Sequence, residues 1–203
     1  MDGLSRIVVW DVDDVLNDLM RAWLDNVWTP AHPAQVMPYE DLSENPPHAL
    51  LGISSSEYVS SLDEFRLSPG YAQQAPNPDI LAWLHDNGGG CRHIALTATA
   101  LRTAPTTAAW VLRNFGRWIR EFAFIPAPRA GENVPIYDVD KGAWLARLGT
   151  AAILVDDSPQ NVAAATAAGG VALCWPRPWN GSGVSVAETL QVLSRLVQAR
   201  EAP

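Results

Sequence analysis

The sequence has 203 residues, of which 48% are hydrophobic, and its formal net charge is −8. This length suits one domain, or one core with a modest insertion. Because an acidic chain is poorly suited to binding the phosphate backbone of DNA or RNA, we expect no nucleic acid polymer as a partner. Its two cysteines do not make a disulfide framework, and no apolar run approaches the roughly 20 residues of a membrane span. The first apolar run is also too short for a signal peptide, so we expect a cytoplasmic protein without membrane contact.

Five short apolar runs predict five β-strands, at 7–10, 93–96, 122–125, 152–155 and 171–174. Helical patterns occur at 106–115, after the second run, and at 184–199, after the fifth. Two more lie on either side of the fourth run, at 141–148 before it and at 159–168 after it. Strands that alternate with helices indicate a parallel sheet with helices on both faces. The sequence therefore predicts an α/β fold, a Rossmann-like three-layer sandwich around a central parallel sheet.

The alternation is interrupted directly after the first run. An apolar stripe begins at Leu16 and ends at Pro30, five prolines fall between positions 30 and 47, and Ser54 with Glu57 predicts a capping box at the start of another helix. We predict a small helical cap formed by residues 17–77, called below the inserted segment. Residues 1–16 and 78–203 would then form the Rossmann-like core.

Polar residues stand at the carboxyl ends of three predicted strands. Asp11 and Asp13 follow the first, Thr97 ends the second, and an acidic pair at 156–157 follows the fourth. Lys141, the only lysine in the sequence, starts the helix before the fourth strand. Reactive groups collect at this edge of an open parallel sheet, so we expect these side chains to meet.

Carboxylates about 4 Å apart repel by roughly 4 kcal/mol per pair near a surface, so such a cluster needs a cation. Hard carboxylate oxygens suit Mg²⁺, which is commonly bound by one or two carboxylates together with a substrate phosphate. The strand ends therefore predict a Mg²⁺ site that accepts a small phosphorylated metabolite.

These residues resemble the motifs of the haloacid dehalogenase superfamily of aspartate-nucleophile phosphatases. The matching positions are DVDDV at 11–15, Thr97, Lys141 and LVDDSPQNVAAATAAG at 154–169. They occur in the order of the family, and the resemblance covers the chain apart from the inserted segment. Two further stretches, DVDDVLNDL at 11–19 and VLRNFG at 111–116, are similar to the 5'-nucleotidase and deoxyribonucleotidase branch.

The resemblance implies a role for each residue. Asp11 would attack the phosphoryl group and form an aspartyl-phosphate, and Asp13 would serve as general acid and then as general base. Thr97 and Lys141 would bind the phosphoryl oxygens, where charge must be stabilised.

The same resemblance implies the ligands of Mg²⁺. They would be the carboxylates of Asp11 and Asp156 and the backbone carbonyl of Asp13, while Asp157 would act through water or orient the site. The family often has glycine where this chain has Asp14. An exposed carboxylate in a turn is the favoured interpretation of Asp14, and tuning of Asp13 or contact with the substrate are the alternatives.

Other reactions of the family fit these residues less well than phosphate ester hydrolysis. Dehalogenases of the family lack the second acid, and phosphonoacetaldehyde hydrolases need a lysine from the insertion, where this chain has none. A phosphomutase stays open as a less favoured alternative. Response-regulator receivers place their acidic pair first along the chain and not last, so a receiver-like or binding module is also less favoured.

A nucleoside monophosphate is the leading substrate, and a sugar phosphate or other biosynthetic phosphomonoester is the alternative. In the nucleotidase branch an aromatic side chain soon after the first motif stacks on the base, whereas here Leu19 stands near that place. Trp23, Trp28 and Arg177 are therefore candidates for contacts to the substrate, with packing as the competing interpretation for the two indoles. The sequence does not distinguish a monomer from a homodimer.

Overall fold

The computed structural model describes residues 6–148 and 152–199. Within these ranges the chain forms five parallel strands in the order β3-β2-β1-β4-β5. They are β1 (Ile7–Trp10), β2 (Arg92–Thr99), β3 (Ile119–Pro126), β4 (Ala152–Asp156) and β5 (Val171–Cys174). The predicted parallel sheet is confirmed, although β2 and β3 each extend beyond the apolar runs that indicate them.

The helices in the same ranges are α1 (Leu19–Trp23), α2 (Thr29–Ala31), α3 (Ser55–Arg66), α4 (Pro69–Ala72), α5 (Pro78–Asn87), α6 (Ala104–Phe115), α7 (Lys141–Leu148), α8 (Pro159–Ala167) and α9 (Val186–Gln198). A π-helical turn at Leu24–Trp28 joins α1 to α2. The helical segment that the apolar stripe predicts to end at Pro30 therefore extends one residue further, to Ala31. Helix α5 has no counterpart among the predicted elements, although Asn77 caps its first turn through Oδ1.

Side chains of the central strands alternate between two apolar cores. Val8 and Trp10 point to the face covered by α5, α6 and α9, whereas Val9 points to the face covered by α7 and α8. Strand β4 divides in the same way, with Ile153 on the first face and Leu154 on the second. This period of two follows from the pleat of a strand, and it produces the predicted three-layer sandwich.

The inserted segment begins and ends at one place. Asn77 donates its backbone N–H to the Leu16 carbonyl at 2.8 Å and its side-chain amide to the Val15 carbonyl at 3.1 Å. The predicted capping box of α3 is present, since Ser54 Oγ accepts from the Glu57 N–H and the Glu57 carboxylate accepts from the Ser54 N–H. Adjacent ends are what an insertion into a core requires. The division into core and cap itself remains a prediction.

No helix in the described part of the chain is both long enough and apolar enough to cross a lipid bilayer.

Gly142, in the first turn of α7, lies against the backbone of α8. A Cβ atom at this position would stand 2.6 Å from the Ala164 carbonyl oxygen. We predict that Gly142→Ala lowers the free energy of unfolding by about 1–2 kcal/mol, because overpacking costs roughly 1–3 kcal/mol and the helix preference of alanine returns up to about 1 kcal/mol. Denaturant unfolding measures the change.

Gly89→Ala is the matched control, because a Cβ atom at Gly89 would have no heavy atom within 4 Å. It should change stability by no more than about 0.5 kcal/mol. Equal stability of the two variants would show that α7 and α8 do not need this close approach.

Candidate active site

The carboxyl ends of β1, β2 and β4 meet at one edge of the sheet. Asp11 extends the ladder beyond β1, since its backbone N–H donates to the Val155 carbonyl at 2.9 Å. Asp156 is the last residue of β4, and Thr97 lies near the end of β2. The central place of β1 between β2 and β4 thus brings these side chains together, as the sequence predicts.

Lys141 joins two of the carboxylates. Its Nζ lies 2.7 Å from Asp11 Oδ1 and 2.6 Å from Asp156 Oδ2, and the residue is only 1% exposed. Burial alone would lower the pKa of the ammonium, but the charges of Asp11 and Asp156 raise it above its ordinary value. The amino group is therefore a fixed cation at the centre of the site.

Asp156 is fully buried, and its carboxylate is held by the turn that follows β4. The Ser158 N–H donates to Oδ1 at 2.9 Å, and Asn161 Nδ2 donates to the two oxygens at 3.0 and 3.2 Å. Asn161 follows Asp156 by five residues in the stretch DDSPQN, and this short spacing is the only feature of the sequence that could have indicated the contact. Sequence reasoning did not identify it.

Asp157 is oriented by the tryptophan-containing loop that follows β5. Trp179 donates its indole N–H to Asp157 Oδ2 at 2.9 Å, and Asn180 donates to the Asp157 carbonyl at 2.8 Å. Trp175, in the same loop, is 1% exposed and packs in the core. This loop therefore acts on the site through Asp157.

The carboxylates of Asp11, Asp156 and Asp157 each offer an oxygen within 4.8 Å of the others. Burial and the neighbouring acids Asp156 and Asp157 raise the pKa of Asp11 well above its usual range, although Lys141 opposes them. Burial first, and then Asp14 and Asp156, raise the pKa of Asp157 to about 7. The single ammonium of Lys141 thus compensates only part of the buried negative charge.

This donor set fits Mg²⁺. All three side chains offer hard carboxylate oxygens, and the raised pKa values of Asp11 and Asp157 indicate that a further positive charge would stabilise the ionised cluster. The predicted ligands Asp11, Asp156 and Asp157 are therefore brought together by the fold. The part assigned to the backbone carbonyl of Asp13 remains a prediction.

Asp13 stands beside this cluster but turns toward the inserted segment. Its Oδ1 accepts from Asn17 Nδ2 at 3.1 Å and from the Tyr71 hydroxyl at 3.0 Å, and its Oδ2 accepts from Arg66 Nε at 3.0 Å. Sequence reasoning identified none of these three partners. Arg66 at the end of α3 and Tyr71 in α4 carry no signal that relates them to Asp13 across more than fifty residues.

Asp14 is buried, so the interpretation of this residue as an exposed carboxylate is wrong. Its φ of 62° places it in the left-handed region, which glycine adopts freely and aspartate tolerates better than most residues. The carboxylate accepts from the Met20 N–H at 2.9 Å, so it caps α1 across the turn. Burial raises the pKa of Asp14 to about 7, against the opposing charge of Arg177.

Arg177 reaches the loop after β1 and does not line the cavity described below. Its guanidinium donates to the carbonyls of Asp14 and Asn17 at 2.5 and 3.2 Å, and it pairs with Asp18 at 2.6 Å. It also donates to the Tyr39 hydroxyl at 3.1 Å. The side chain thus fixes the backbone that carries Asp13 and Asp14.

Trp23 and Trp28 are packed inside the inserted segment. Trp23 is fully buried and donates to Ser61 Oγ, while Trp28 is 3% exposed and donates to the Gln35 carbonyl. The edge of the Tyr58 ring packs against Trp23 with centroids 5.3 Å apart. In this arrangement the two indoles contribute packing and present no surface to the carboxylate cluster, as the competing interpretation has it.

A cavity of about 180 Å³ opens over the site. Thr97 and Lys141 line its core side, and Met20, Tyr58 and Arg66 line the side of the inserted segment. A larger cavity of about 660 Å³ lies at the opposite edge, by the first residues of β2 and β3. We place the site in the smaller cavity because the convergent carboxylates and the ammonium are there.

Comparison with known proteins establishes the fold alone. No protein-family model and no curated protein matches the sequence. Among solved structures, a haloacid dehalogenase-like hydrolase from Streptococcus pneumoniae is 14% identical, with a TM-score of 0.58 over 92% of this chain and 90% of that one. A hydrolase of the same superfamily, subfamily IA, from Geobacter sulfurreducens is also 14% identical, with a TM-score of 0.52 over 96% and 98%.

This chain has the fold of these hydrolases. A third match is protein tyrosine kinase A from Mycobacterium tuberculosis, at 21% identity and a TM-score of 0.58 over 92% of this chain and 88% of that one. Because a protein named as a kinase shares the fold with proteins named as hydrolases, the fold does not determine the reaction.

We predict that Mg²⁺ stabilises the protein more at about pH 8 than at about pH 6, because the cation competes with the protons on the buried carboxyls. The pKa of Asp157 rises from 3.8 to about 7 on folding, so the metal-free protein loses stability as the pH rises between these values. At about 100 times its Kd, Mg²⁺ should add about 2.7 kcal/mol once the carboxyls are ionised. Thermal unfolding with Mg²⁺ and with EDTA at both pH values measures the difference.

Asp86→Asn, which changes an exposed acid of α5, should keep the pH-dependent Mg²⁺ effect, and Asp156→Asn should lose it. Stabilisation by Mg²⁺ that is the same at both pH values, or that persists in Asp156→Asn, would contradict binding at this cluster.

Proposed function

We propose that the protein is a Mg²⁺-dependent phosphomonoester hydrolase that acts through an aspartyl-phosphate on Asp11. The observation that carries the proposal is the contact of one buried ammonium, Lys141 Nζ, with both Asp11 and Asp156. A nucleophilic carboxylate, a fixed cation and a set of hard oxygen ligands then lie within one small cavity. The shared fold with haloacid dehalogenase-like hydrolases supports the same reaction class.

In the first step, a carboxylate oxygen of Asp11 forms a bond to phosphorus while the bond from phosphorus to the ester oxygen breaks. Asp13 gives its proton to the departing oxygen, so the alcohol leaves neutral. In the second step, water attacks the phosphorus of the aspartyl-phosphate and gives a proton to Asp13. Inorganic phosphate leaves, and the carboxylate of Asp11 is restored.

Lys141 and Thr97 would bind the non-bridging phosphoryl oxygens. The lysine is well placed because its amino group is held beside the nucleophile before any substrate binds. Mg²⁺, held by the carboxylates of Asp11, Asp156 and Asp157 and the carbonyl of Asp13, would supply positive charge to the same oxygens.

Two substrate classes remain candidates. The cavity of about 180 Å³ is smaller than the roughly 300 Å³ at which pockets for drug-sized ligands begin, which favours a sugar phosphate or another small phosphomonoester. A nucleoside monophosphate is the second candidate, because DVDDVLNDL is similar to the nucleotidase branch. A panel of phosphomonoesters of increasing size separates them by kcat/KM.

The inserted segment would act as a cap that excludes water and chooses the leaving group. Leu19, Met20, Tyr58 and Leu62 give its side of the cavity apolar surface beside Asn45 and Arg66, which suits the carbon skeleton of the leaving alcohol. The ester oxygen that Asp13 protonates would then lie at the boundary between this lining and the polar strand ends.

We expect wild-type protein to turn over p-nitrophenyl phosphate repeatedly with Mg²⁺ and to stop when EDTA removes the metal. Asp11→Asn should lose all measurable turnover, because an amide cannot form the aspartyl-phosphate. Release of p-nitrophenol measures the rate. Full activity of Asp11→Asn would exclude Asp11 as the nucleophile.

We also expect Lys141→Ala to reduce kcat by about 10²-fold or more, the scale for one charge-stabilising donor. Arg147→Ala is the matched control on the same helix, since Arg147 is 59% exposed and pairs with Asp138 away from the cavity. Steady-state kinetics should find the control near the wild-type rate. If the two variants behaved alike, Lys141 would have no part in binding the phosphoryl group.

A further inference from the structure

The inserted segment supplies a buried cation to Asp13. Arg66, at the end of α3, is 7% exposed, and its Nε and one terminal nitrogen each lie 3.0 Å from Asp13 Oδ2. Both contacts go to the same oxygen. The guanidinium therefore fixes the position of Oδ2. The direction in which Oδ1 points then depends only on how the carboxylate is rotated.

A second carboxylate holds Arg66 in place. Asp63, one turn earlier in α3, is fully buried and lies 3.1 Å from the other terminal nitrogen of Arg66. Asp63 also accepts from Arg102, which follows β2, and from Arg129, which follows β3. Although burial opposes it, hydrogen bonds from Arg129 and Arg102 hold the pKa of Asp63 below its usual range. The core loops thus fix Asp63, which fixes Arg66, which fixes Asp13.

The other oxygen of Asp13 has a partner that can turn away. The Tyr71 hydroxyl lies 3.0 Å from Asp13 Oδ1 and 3.3 Å from Thr107 Oγ1, and Tyr71 is fully buried. A phenol has one hydrogen, so it can donate to either acceptor but not to both. When that hydrogen turns to Thr107, Oδ1 keeps the hydrogen bond from Asn17 Nδ2 at 3.1 Å and gains one free lone pair, while Arg66 still holds Oδ2.

We propose that Arg66 is a positioning residue that directs Asp13 Oδ1 toward the leaving-group oxygen. This inference rests on the proposed hydrolase function and deepens it. Arg66 acts through Asp13: the proton passes from Asp13 to the ester oxygen as the bond to phosphorus breaks, and Arg66 itself exchanges no proton. The acid/base is thus complete only when the inserted segment is docked on the core.

Two aryl phosphates of similar size test this role. p-Nitrophenolate leaves without needing a proton, whereas phenolate is more basic and depends on general acid catalysis. We expect Arg66→Gln to lower kcat/KM for phenyl phosphate by about 10²-fold, the lower end of the range for general acid–base catalysis, and for p-nitrophenyl phosphate by less than about 5-fold. The ratio kcat/KM reports the steps up to formation of the aspartyl-phosphate, whereas kcat also includes its hydrolysis, which is common to both esters.

Arg92→Gln is the matched control, since it removes a guanidinium that is 63% exposed, pairs with Glu121 at the opposite edge of the sheet and contacts neither Asp63 nor Asp13. Both rates should stay within about 2-fold of wild type, as for most exposed ion pairs. Arg66→Lys keeps a cation but loses the planar fork, so it should show an intermediate loss, still larger for phenyl phosphate. If circular dichroism shows that Arg66→Gln does not fold, Arg66→Lys takes its place in the comparison of the two esters.

Equal losses of kcat/KM on the two substrates would overturn the proposal, because a purely structural role does not distinguish leaving groups. If wild-type protein hydrolyses neither ester, the proposed function fails, and this inference fails with it. Active wild-type protein with an unaltered substrate ratio in Arg66→Gln refutes the inference alone.

Discussion

The ammonium of Lys141, held between Asp11 and Asp156, is the interaction on which the rest of the site depends. Three carboxylates converge at the ends of β1 and β4, and without a counter-charge their burial would be strongly unfavourable. One lysine offsets only part of that charge, as the raised pKa values of Asp11 and Asp157 indicate. The remaining negative charge is the physical reason to expect a divalent cation here, and that cation together with the ammonium would then attract a phosphoryl group.

The position of that ammonium is a property of the fold. Lys141 is the first residue of α7, where a cation is disfavoured by the helix dipole. Gly142 lets α7 approach the backbone of α8, and α8 follows the turn that holds Asp156. The close packing of α7 on α8 therefore also positions the Lys141 ammonium at the edge of the sheet.

The inserted segment contributes more than a cover. Residues from α3 and α4 reach Asp13, and the core loops after β2 and β3 reach Asp63 in return. Arg177 adds a third connection, from the loop after β5 to the turn that carries Asp13 and Asp14. Because charged contacts cross between these segments in both directions, the geometry of Asp13 depends on the inserted segment and on the loops after β2, β3 and β5.

The sequence predicts the parts of this account that depend on local patterns. Apolar runs indicate the five strands, and parallel strands that end in Asp11, Thr97 and Asp156 bring those residues together for topological reasons. It does not predict Arg66 or Tyr71, because their relation to Asp13 arises from packing between helices and leaves no periodic signal. Asp14 is the intermediate case. The sequence shows an aspartate where the family often has glycine, but only the folded structure shows its left-handed backbone and its hydrogen bond to the first turn of α1.

The central claim, that Asp11 becomes phosphorylated, is tested most directly in the Asp13→Asn variant with p-nitrophenyl phosphate and Mg²⁺. This ester needs no acid for its first step, whereas hydrolysis of the intermediate lacks its base, so the aspartyl-phosphate should accumulate. Rapid acid quench followed by peptide mass spectrometry should find the mass of one phosphoryl group on Asp11. A phosphoryl group on another residue, or burst release of p-nitrophenol with Asp11 unmodified, would contradict the account.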